Sequence, residues 1–241
     1  GARPKVMAKF PLNKYSTKEE IYRTVNYLKC SLKLNSYPLN SKKILQRFCK
    51  NLTIECLPFV TSDICGILYK GDTSTSIGLN QNRSEDQQNF DCMHEGIHYF
   101  SHDISYCKCV CSEKNIISQE SSIEYQANEG AAQCLVPYER FIPEISNLYD
   151  DAMSSDEIDF FIAKLAQKYH VTSAVISVRL QSLKYEIWQY MSGTAIKHLR
   201  ILSDRHQKQE GIEVESIIDK RNKKRIEENQ NYRIYIRQCN A

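Results

Sequence analysis

The chain has 241 residues, of which 41% are hydrophobic and 25% are charged, and its formal net charge at pH 7 is +3. This length and composition describe an ordinary globular protein with one ample hydrophobic core, or a core with an appendage. The small net charge gives no support to a nucleic-acid-binding class, and no apolar run reaches the roughly 18 residues that a transmembrane helix needs.

The first residues and the cysteines bear on the cellular compartment. Residues 1–16 contain no apolar signal-peptide core, so we expect a cytoplasmic protein with no membrane partner. The ten cysteines are then expected to be reduced thiols or metal ligands, because disulfides persist mainly in oxidising compartments.

Two short helices are predicted near the start of the chain. Residues 1–15 are expected to form a loosely held arm. Thr17 and Glu20 have the spacing of a capping box ahead of an amphipathic first helix, and a second helix is predicted over Ser41–Cys49, after the break at Pro38.

Three strand-like runs follow, Leu52–Leu57, Cys65–Tyr69 and Thr73–Leu79. In the third run, apolar and small polar residues alternate, which is the period of a half-buried strand. We predict that this strand lies at a sheet edge and binds an extended peptide by strand addition. The residues predicted for that edge are Ser74, Thr75, Ser76, Ile77 and Gly78.

The next helix carries the pattern His-Glu-x-x-His. Ser84 and Gln87 form a second capping-box pair, and apolar residues recur every three or four positions after them. His94 and His98 are four residues apart, so on a helix their imidazoles stand one turn above each other, which is a zinc-ligand spacing. Glu95 lies one step round the helix, within reach of a water at that metal, and is predicted to be a general base.

A lone His-Glu-x-x-His also occurs by chance, and two helical histidines can simply be hydrogen-bonded to nearby carbonyls. A third ligand is therefore needed. A further helix, predicted over Ser121–Leu135, offers Glu124, with Glu129 or Glu120 as alternatives, although Glu124 also has capping-box spacing from Ser121. Two histidines and one carboxylate would leave zinc a fourth position for water, as catalytic sites require.

Four more residues near these helices are candidates for supporting roles. Asn128 shares a helix face with Glu124 and is predicted to orient a ligand histidine through its free ring nitrogen. A transition-state oxyanion needs a donor besides the metal, and the alternative for each candidate is a purely structural role. The candidate donors are Tyr125, Tyr138 and His170.

Between the two motif helices lie a third histidine and three cysteines. His102 would lie about 12 Å along the helix axis from His94, too far to share the metal. It is predicted to lie behind a ligand, to contact substrate or to face solvent. Cys107, Cys109 and Cys111 alternate along the loop, so they form either a second metal or thiol site or simply reduced thiols.

The stretch Ile162–Leu183 has the helix, turn and helix rhythm of a DNA-binding motif, but a hairpin of packed helices is the commoner alternative. Its candidate base-reading residues are Thr172, Ser173, Ser177, Arg179 and Gln181. Residues 196–241 hold 11 Lys and Arg against 7 Asp and Glu, a net charge of +4, and end in a strand-like run over residues 231–236. DNA is therefore considered as a partner but is not favoured.

Two motifs together resemble the ImmA/IrrE family of zinc metallopeptidases. HEGIHYFSHD starts at His94 and EYQANEGAAQCLVP starts at Glu124, and the family's hallmark is His-Glu-x-x-His followed by Glu-x-x-Ala-Asn on the next helix. The resemblance covers roughly Ile21–Tyr190. The chain has Gly96-Ile97 where the family commonly has Leu-Gly, which leaves the metal-binding letters intact and puts local packing in question.

The resemblance implies an α+β fold of the minimal thermolysin-like, gluzincin type, with a small three-stranded sheet packed on a mostly helical domain. It also implies one zinc ion, held by His94, His98 and Glu124. Within this fold we predict an N-terminal arm, a zinc metallopeptidase core, a helical subdomain resembling a helix-turn-helix and a basic C-terminal extension. Their bounds are 1–15, 16–150, 151–195 and 196–241.

The predicted function is a cytoplasmic zinc endopeptidase that cleaves a protein regulator. The resemblance points to a helix-turn-helix repressor of a phage or mobile element as the substrate. Two alternatives stay open, a DNA-binding regulator that acts without proteolysis and an inactive relative that docks onto a repressor. Retention of Glu95 argues against the inactive relative, and salt-sensitive duplex binding without zinc would favour the DNA-binding regulator.

Overall fold

A computed structural model of the chain describes residues 10–61, 63–71, 74–102, 109–112 and 122–239. For residues 109–112 and 235–239 it describes the backbone alone. Cys107, Glu120 and Ser121 therefore lie outside the described residues, and so do the side chains of Cys109 and Cys111. The predictions about the three loop cysteines and about Glu120 stay predictions.

Helices dominate the described residues. The ten α-helices are α1 Lys18–Ser31, α2 Ser41–Phe48, α3 Glu85–Ser101, α4 Ser122–Leu135, α5 Tyr138–Leu148, α6 Ser155–Tyr169, α7 Ser173–Ser182, α8 Lys184–Met191, α9 Asp204–Gln209 and α10 Ile217–Cys239. A short 3-10 helix spans Ile196–His198. The strands are β1 Leu52–Leu57, β2 Ile64–Lys70, β3 Thr75–Asn80 and β4 Cys109–Ser112.

The mixed α+β fold class is confirmed, but the sheet has four strands in the order β1-β3-β2-β4 and not the three we predicted. β1 pairs with β3 in parallel, and β2 pairs antiparallel with both β3 and β4. The additional strand β4 has four residues and lies in a segment predicted to be a loop. A strand this short shows too little alternation to be recognised from sequence.

The predicted substrate edge over residues 74–78 is wrong. β3 lies inside the sheet, because Leu52–Leu57 pairs with it on one side and Gly66–Lys70 on the other. Both rows of its backbone hydrogen-bonding groups therefore face a neighbouring strand, and an added peptide would find none of them free. Alternation of side chains indicates which face of a strand is buried and says nothing about its place in the sheet.

The capping boxes predicted at the start of α1 and α3 are confirmed. The Thr17 side chain accepts from the Glu20 backbone N–H at the start of α1, and the Glu20 carboxylate accepts from the Thr17 N–H. Ser84 and Gln87 repeat this arrangement at the start of α3. The helix that presents the two histidines therefore begins at a fixed residue.

The helix, turn and helix predicted over residues 162–183 correspond to α6 and α7, and a separate helix, α8, follows α7 at Leu183. One other expectation about secondary structure is wrong. The strand-like run at residues 231–236 belongs to α10. The run follows the charged part of α10 with no proline or glycine between them, so helix propagation wins over the local alternation.

By its internal contacts the chain divides into two compact units. The first comprises residues 1–137 and 169–171, and it contains the sheet, α1 to α4 and the two motifs. The second comprises residues 138–168 and 172–241. None of the described helices combines the length and the apolar character needed to cross a bilayer.

Candidate metal site

The site is built on α3 and α4, which pack side by side. Their close approach depends on Gly130 of α4, where an added Cβ would lie 3.0 Å from Cγ2 of Ile97 on α3. Both Ile97 and the neighbouring Ala131 are fully buried. A small residue at this crossing lets the two helices present their polar side chains to one another.

His94, His98 and Glu124 come together as one group of ligand atoms. The two Nε2 atoms are 3.1 Å apart, and they lie 3.2 Å and 3.4 Å from the Glu124 carboxylate oxygens. Ligands about 2 Å from a tetrahedral ion lie about 3.3 Å from one another. These residues therefore fit a small cation, and the predicted third ligand, Glu124, contacts both histidines.

Glu95 follows His94 directly in sequence, and its side chain is fully buried. Strand β2 covers it, since an added Cβ on Gly66 would lie 3.3 Å from Glu95 Oε1. Within the described residues neither of its carboxylate oxygens has a well-formed hydrogen bond, and the Leu68 backbone N–H gives it only a weak interaction. A buried carboxylate with so little compensation is unfavourable unless a cation or a stronger donor is added, so this residue too fits a metal-and-water site.

The carboxylates and imidazoles of the site perturb one another. Burial raises the pKa of Glu95 to about 8. Burial also lowers the pKa of His98 to about 4, so its imidazole is neutral at pH 7. The two neighbouring histidines hold the pKa of Glu124 far below its usual range in spite of partial burial. Burial opposes the charged form of His94, but Glu124 outweighs it and the pKa of His94 is raised.

Each of the two site histidines has a partner on its other ring nitrogen. His94 Nδ1 lies 2.9 Å from Oδ1 of Asn128, which is the arrangement we predicted for that asparagine. His98 Nδ1 lies 2.9 Å from Nδ1 of His102, which is buried at the end of α3. Of the three places predicted for His102, the structure shows the one behind a ligand. Hydrogen bonding to the free ring nitrogen fixes how a ligand histidine is oriented.

Gln126 is a residue of the site that we did not predict from the sequence. Its side chain is 1% exposed, its Oε1 lies 3.0 Å from His102 Nε2, and its Nε2 donates to the Asn13 carbonyl at 2.7 Å. One feature of the sequence could have indicated it. Gln126 is polar and lies two residues after Glu124, at a position where the amphipathic pattern of the helix does not require a polar side chain. Its partner Asn13 could not be identified, since it is more than 100 residues away in the chain.

The three candidate oxyanion donors have different surroundings. Tyr125 is half-buried in the first turn of α4, and Tyr138 is half-buried at the start of α5 in the second unit. His170 is exposed with a φ of 52°, and its carbonyl accepts a hydrogen bond from Asn89 of α3. Their role in the chemistry stays a prediction.

The five predicted base-reading residues differ in exposure. Arg179 is 1% exposed, so its assignment as a base-reading residue is wrong. The half-exposed Gln181 accepts from Ser216, and the half-exposed Thr172 caps α7 by accepting from the Val175 N–H. The role of these two residues in DNA contact stays a prediction. Ser173 and Ser177 are left as exposed and half-exposed residues.

Residues 49–181, more than half of the chain, match the family Peptidase_M78, described as the IrrE N-terminal-like domain. No curated protein sequence matches significantly. A solved structure of a Mycobacterium tuberculosis transcriptional regulator is similar with a TM-score of 0.45 and 13% identity, over 68% of this chain and 48% of the regulator. The chain thus spans about half of that regulator.

Proposed function

The chain belongs to the Peptidase_M78 family, the IrrE N-terminal-like domain, and from this premise we propose that it is a zinc-dependent endopeptidase. The observation that carries the proposal is the convergence of His94, His98 and Glu124 beside the buried Glu95. Two imidazoles and one carboxylate are a donor set of catalytic zinc sites, which keep one position open for water or substrate. The proposed substrate is a protein regulator.

In this proposal His94, His98 and Glu124 hold the zinc ion through two Nε2 atoms and a carboxylate oxygen. When bound, zinc supplies a Lewis acid that polarises a peptide carbonyl and makes water a better nucleophile at neutral pH. Asn128 and His102 hydrogen-bond to the Nδ1 atoms of the two imidazoles and so fix the orientation in which the imidazoles would bind the ion. The protein thus contributes a preorganised set of donors on two packed helices.

Glu95 is proposed to move the proton. Its carboxylate accepts a proton from the attacking water and passes it to the nitrogen of the leaving amine. The pKa of this group lies at about 8 because burial disfavours its charge, and a cation held by the neighbouring ligands would lower that pKa. A base with a pKa near the working pH can both take up and release a proton in one catalytic cycle.

The substrate strand is proposed to add to β4. In the described residues β4 pairs with β2 on one side only, and β2 is the strand that covers Glu95. The other outer strand, β1, lies beyond β3 on the far side of the sheet. A peptide that extends the sheet at β4 would use backbone hydrogen bonds for affinity and its side chains for specificity.

The substrate proposed from the family resemblance is a helix-turn-helix repressor of a phage or mobile element. The test is to incubate the zinc-loaded chain with the repressor encoded beside its gene and to follow cleavage by mass spectrometry. Glu95→Gln is expected to slow cleavage by about 100-fold or more while the zinc content stays at one ion. Glu85→Gln, an exposed glutamate in the first turn of the same helix, is the matched control and should cleave normally.

Two results would contradict the proposal. Equal cleavage by the wild type and Glu95→Gln would remove Glu95 as the base. An intact repressor in the presence of the zinc-loaded wild type would favour the alternative regulator that acts without proteolysis. Salt-sensitive binding of duplex DNA by the zinc-free chain would support that alternative further.

A further inference from the structure

A line of buried polar groups leads away from His98 to the N-terminal segment. His98 Nδ1 lies 2.9 Å from His102 Nδ1, His102 Nε2 lies 3.0 Å from Gln126 Oε1, and Gln126 Nε2 lies 2.7 Å from the Asn13 carbonyl oxygen. The side chains of His102 and Gln126 are 6% and 1% exposed. These two side chains are therefore shielded from water, and the line ends on the backbone carbonyl of an exposed residue, Asn13.

The end of this line fixes the direction of every hydrogen bond in it. A carbonyl oxygen can only accept, so the Gln126 amide must point its NH2 at Asn13 and its oxygen at His102. That oxygen can only accept, so neutral His102 carries its proton on Nε2 and presents a lone pair on Nδ1. His98 must then carry its proton on Nδ1, which leaves the lone pair of its Nε2 free to face the metal ligands.

The Asn13 carbonyl is itself held in place. It also accepts from the backbone N–H of Ser16 at 3.1 Å, in the turn that precedes α1. On its other side, Phe10 and Leu12 donate their backbone N–H groups to the carbonyls of Phe100 and Ser101 at the end of α3. This part of the N-terminal arm is thus tied to the helix that bears the two histidines, although the whole arm was expected to be loose.

We propose that His102 and Gln126 are positioning residues that set the tautomer of His98. The N-terminal segment, through the Asn13 carbonyl, sets the orientation of the Gln126 amide and thereby the tautomer of His102. The inference rests on the proposed metal site and does not require that the protein cleaves peptides. A neutral imidazole can carry its proton on either nitrogen, and only one of the two forms presents Nε2 to a metal. The line of hydrogen bonds selects the metal-binding form before the ion arrives.

His102 also has a structural role, because its backbone N–H bonds to the His98 carbonyl at the end of α3. The variants must therefore change the imidazole of His102 and leave its backbone hydrogen bond at the end of α3 in place. His102→Phe keeps the ring volume and removes the acceptor, whereas His102→Asn places an amide oxygen close to where Nδ1 stood. Gln126→Leu breaks the line one step further away. His198→Phe, at an exposed histidine in the 3-10 helix, is the control.

The first measurement is the zinc affinity of the full chain by competition with a chromophoric chelator. His102→Phe is expected to bind zinc about 10 to 100 times more weakly, which is the usual effect of losing the partner of a ligand histidine. His102→Asn should recover most of that loss, Gln126→Leu should lose less than about tenfold, and His198→Phe should match the wild type. A purely structural role would make His102→Asn as poor as His102→Phe.

The second measurement reads the tautomer in the zinc-free wild type at pH 7 by long-range 1H–15N NMR. The expected signal is that of His98 protonated on Nδ1, and protonation on Nε2 would overturn the inference even if the His102 variants fail to fold. Unchanged zinc affinity in His102→Phe would overturn it and leave the proposed function intact. A wild type that binds zinc but cleaves nothing would remove the proposed function and leave this inference intact, and a wild type that binds no zinc would remove both.

Discussion

Glu95 is a residue whose environment is unfavourable in the protein without a metal. Its carboxylate is fully buried and, within the described residues, makes no well-formed hydrogen bond, and burial raises its pKa to about 8. Desolvation of the charge is the main reason, since the carboxylate loses its water and the nearby His94 and Leu68 N–H compensate only part of that loss. Functional groups are often found in such environments, because a perturbed pKa is useful in proton transfer.

Replacement of Glu95 by glutamine should therefore stabilise the zinc-free chain in a pH-dependent way. The folded state holds the Glu95 proton up to about pH 8, whereas the unfolded chain releases it near 4.5. The wild type thus loses stability as the pH rises through this window, and Glu95→Gln does not. We expect an advantage for Glu95→Gln that is small at pH 4.5 and reaches about 2 to 4 kcal/mol at pH 8.5.

The measurement is urea unfolding of both proteins in the presence of a chelator between pH 4.5 and 8.5. Glu85→Gln serves as the control, because Glu85 is exposed at the start of the same helix. A constant difference between Glu95→Gln and the wild type across this range would show that the Glu95 carboxylate is not desolvated in the folded state.

For single residues, the sequence predicted the contacts that lie within one helix and missed the contacts that depend on distant segments of the chain. The spacing of His94 and His98 determines their alignment, because the helical repeat is the same in every protein. Glu124 was predicted as one of three carboxylates, and only packing brought it to both histidines. The contact from Gln126 to Asn13 depends on how a remote segment passes the end of α3, and no local pattern records that.

Among the elements, the sheet shows the same difference between local features, which the sequence predicts, and long-range pairing, which it does not. β1 was predicted with the observed bounds because its pattern is local. The order β1-β3-β2-β4 places the third strand inside the sheet, and this follows from long-range pairing. Alternation along a strand cannot distinguish an inner position from an outer one when only one face is buried. The proposed substrate edge therefore moves from β3 to β4.

The crossing of α3 and α4 should be sensitive to the size of residue 130. Gly130→Val would place side-chain atoms against Ile97, where even a Cβ would approach to 3.0 Å. We expect the free energy of unfolding to fall by about 1 to 3 kcal/mol, as overpacking of a core usually does. Zinc binding should weaken as well, because Glu124 moves away from the histidines with its helix.

The matched control for Gly130→Val is a double variant that makes room on α3. Ile97→Ala alone should destabilise the chain by about 2 to 5 kcal/mol, since it leaves a cavity in the core. The double variant, Ile97→Ala with Gly130→Val, should lose less unfolding free energy than the sum of the two single losses. Additive losses in the unfolding free energy and unchanged zinc affinity would show that this crossing does not set the position of Glu124.

The whole molecule consists of two compact units, and the proposed site lies within the first. The net charge of the tail had suggested DNA as a partner, but part of that charge is used within the second unit. Arg221 and Arg225 of α10 form ion pairs with Asp159, and Lys220 pairs with Asp151. Internal pairing of this kind leaves less positive charge for a nucleic acid than the count of residues implies.

Zinc should act as a stabilising ligand of the folded chain. The ligands come from two helices that are separate in sequence, so the unfolded chain does not hold them together, and only the folded state binds the ion well. At a free zinc concentration 100 times the dissociation constant we expect a gain of about 2.7 kcal/mol. Differential scanning calorimetry should show a rise in Tm for the wild type and none for His94→Ala.

The central claim is that His94, His98 and Glu124 hold one zinc ion beside a base, Glu95, that is not a ligand. Native mass spectrometry of the zinc-loaded chain and its variants tests this most directly. The account predicts one zinc ion in the wild type and in Glu95→Gln, and loss of the ion at the same free zinc concentration in Glu124→Ala. A full zinc ion in Glu124→Ala, or its loss in Glu95→Gln, would contradict the account.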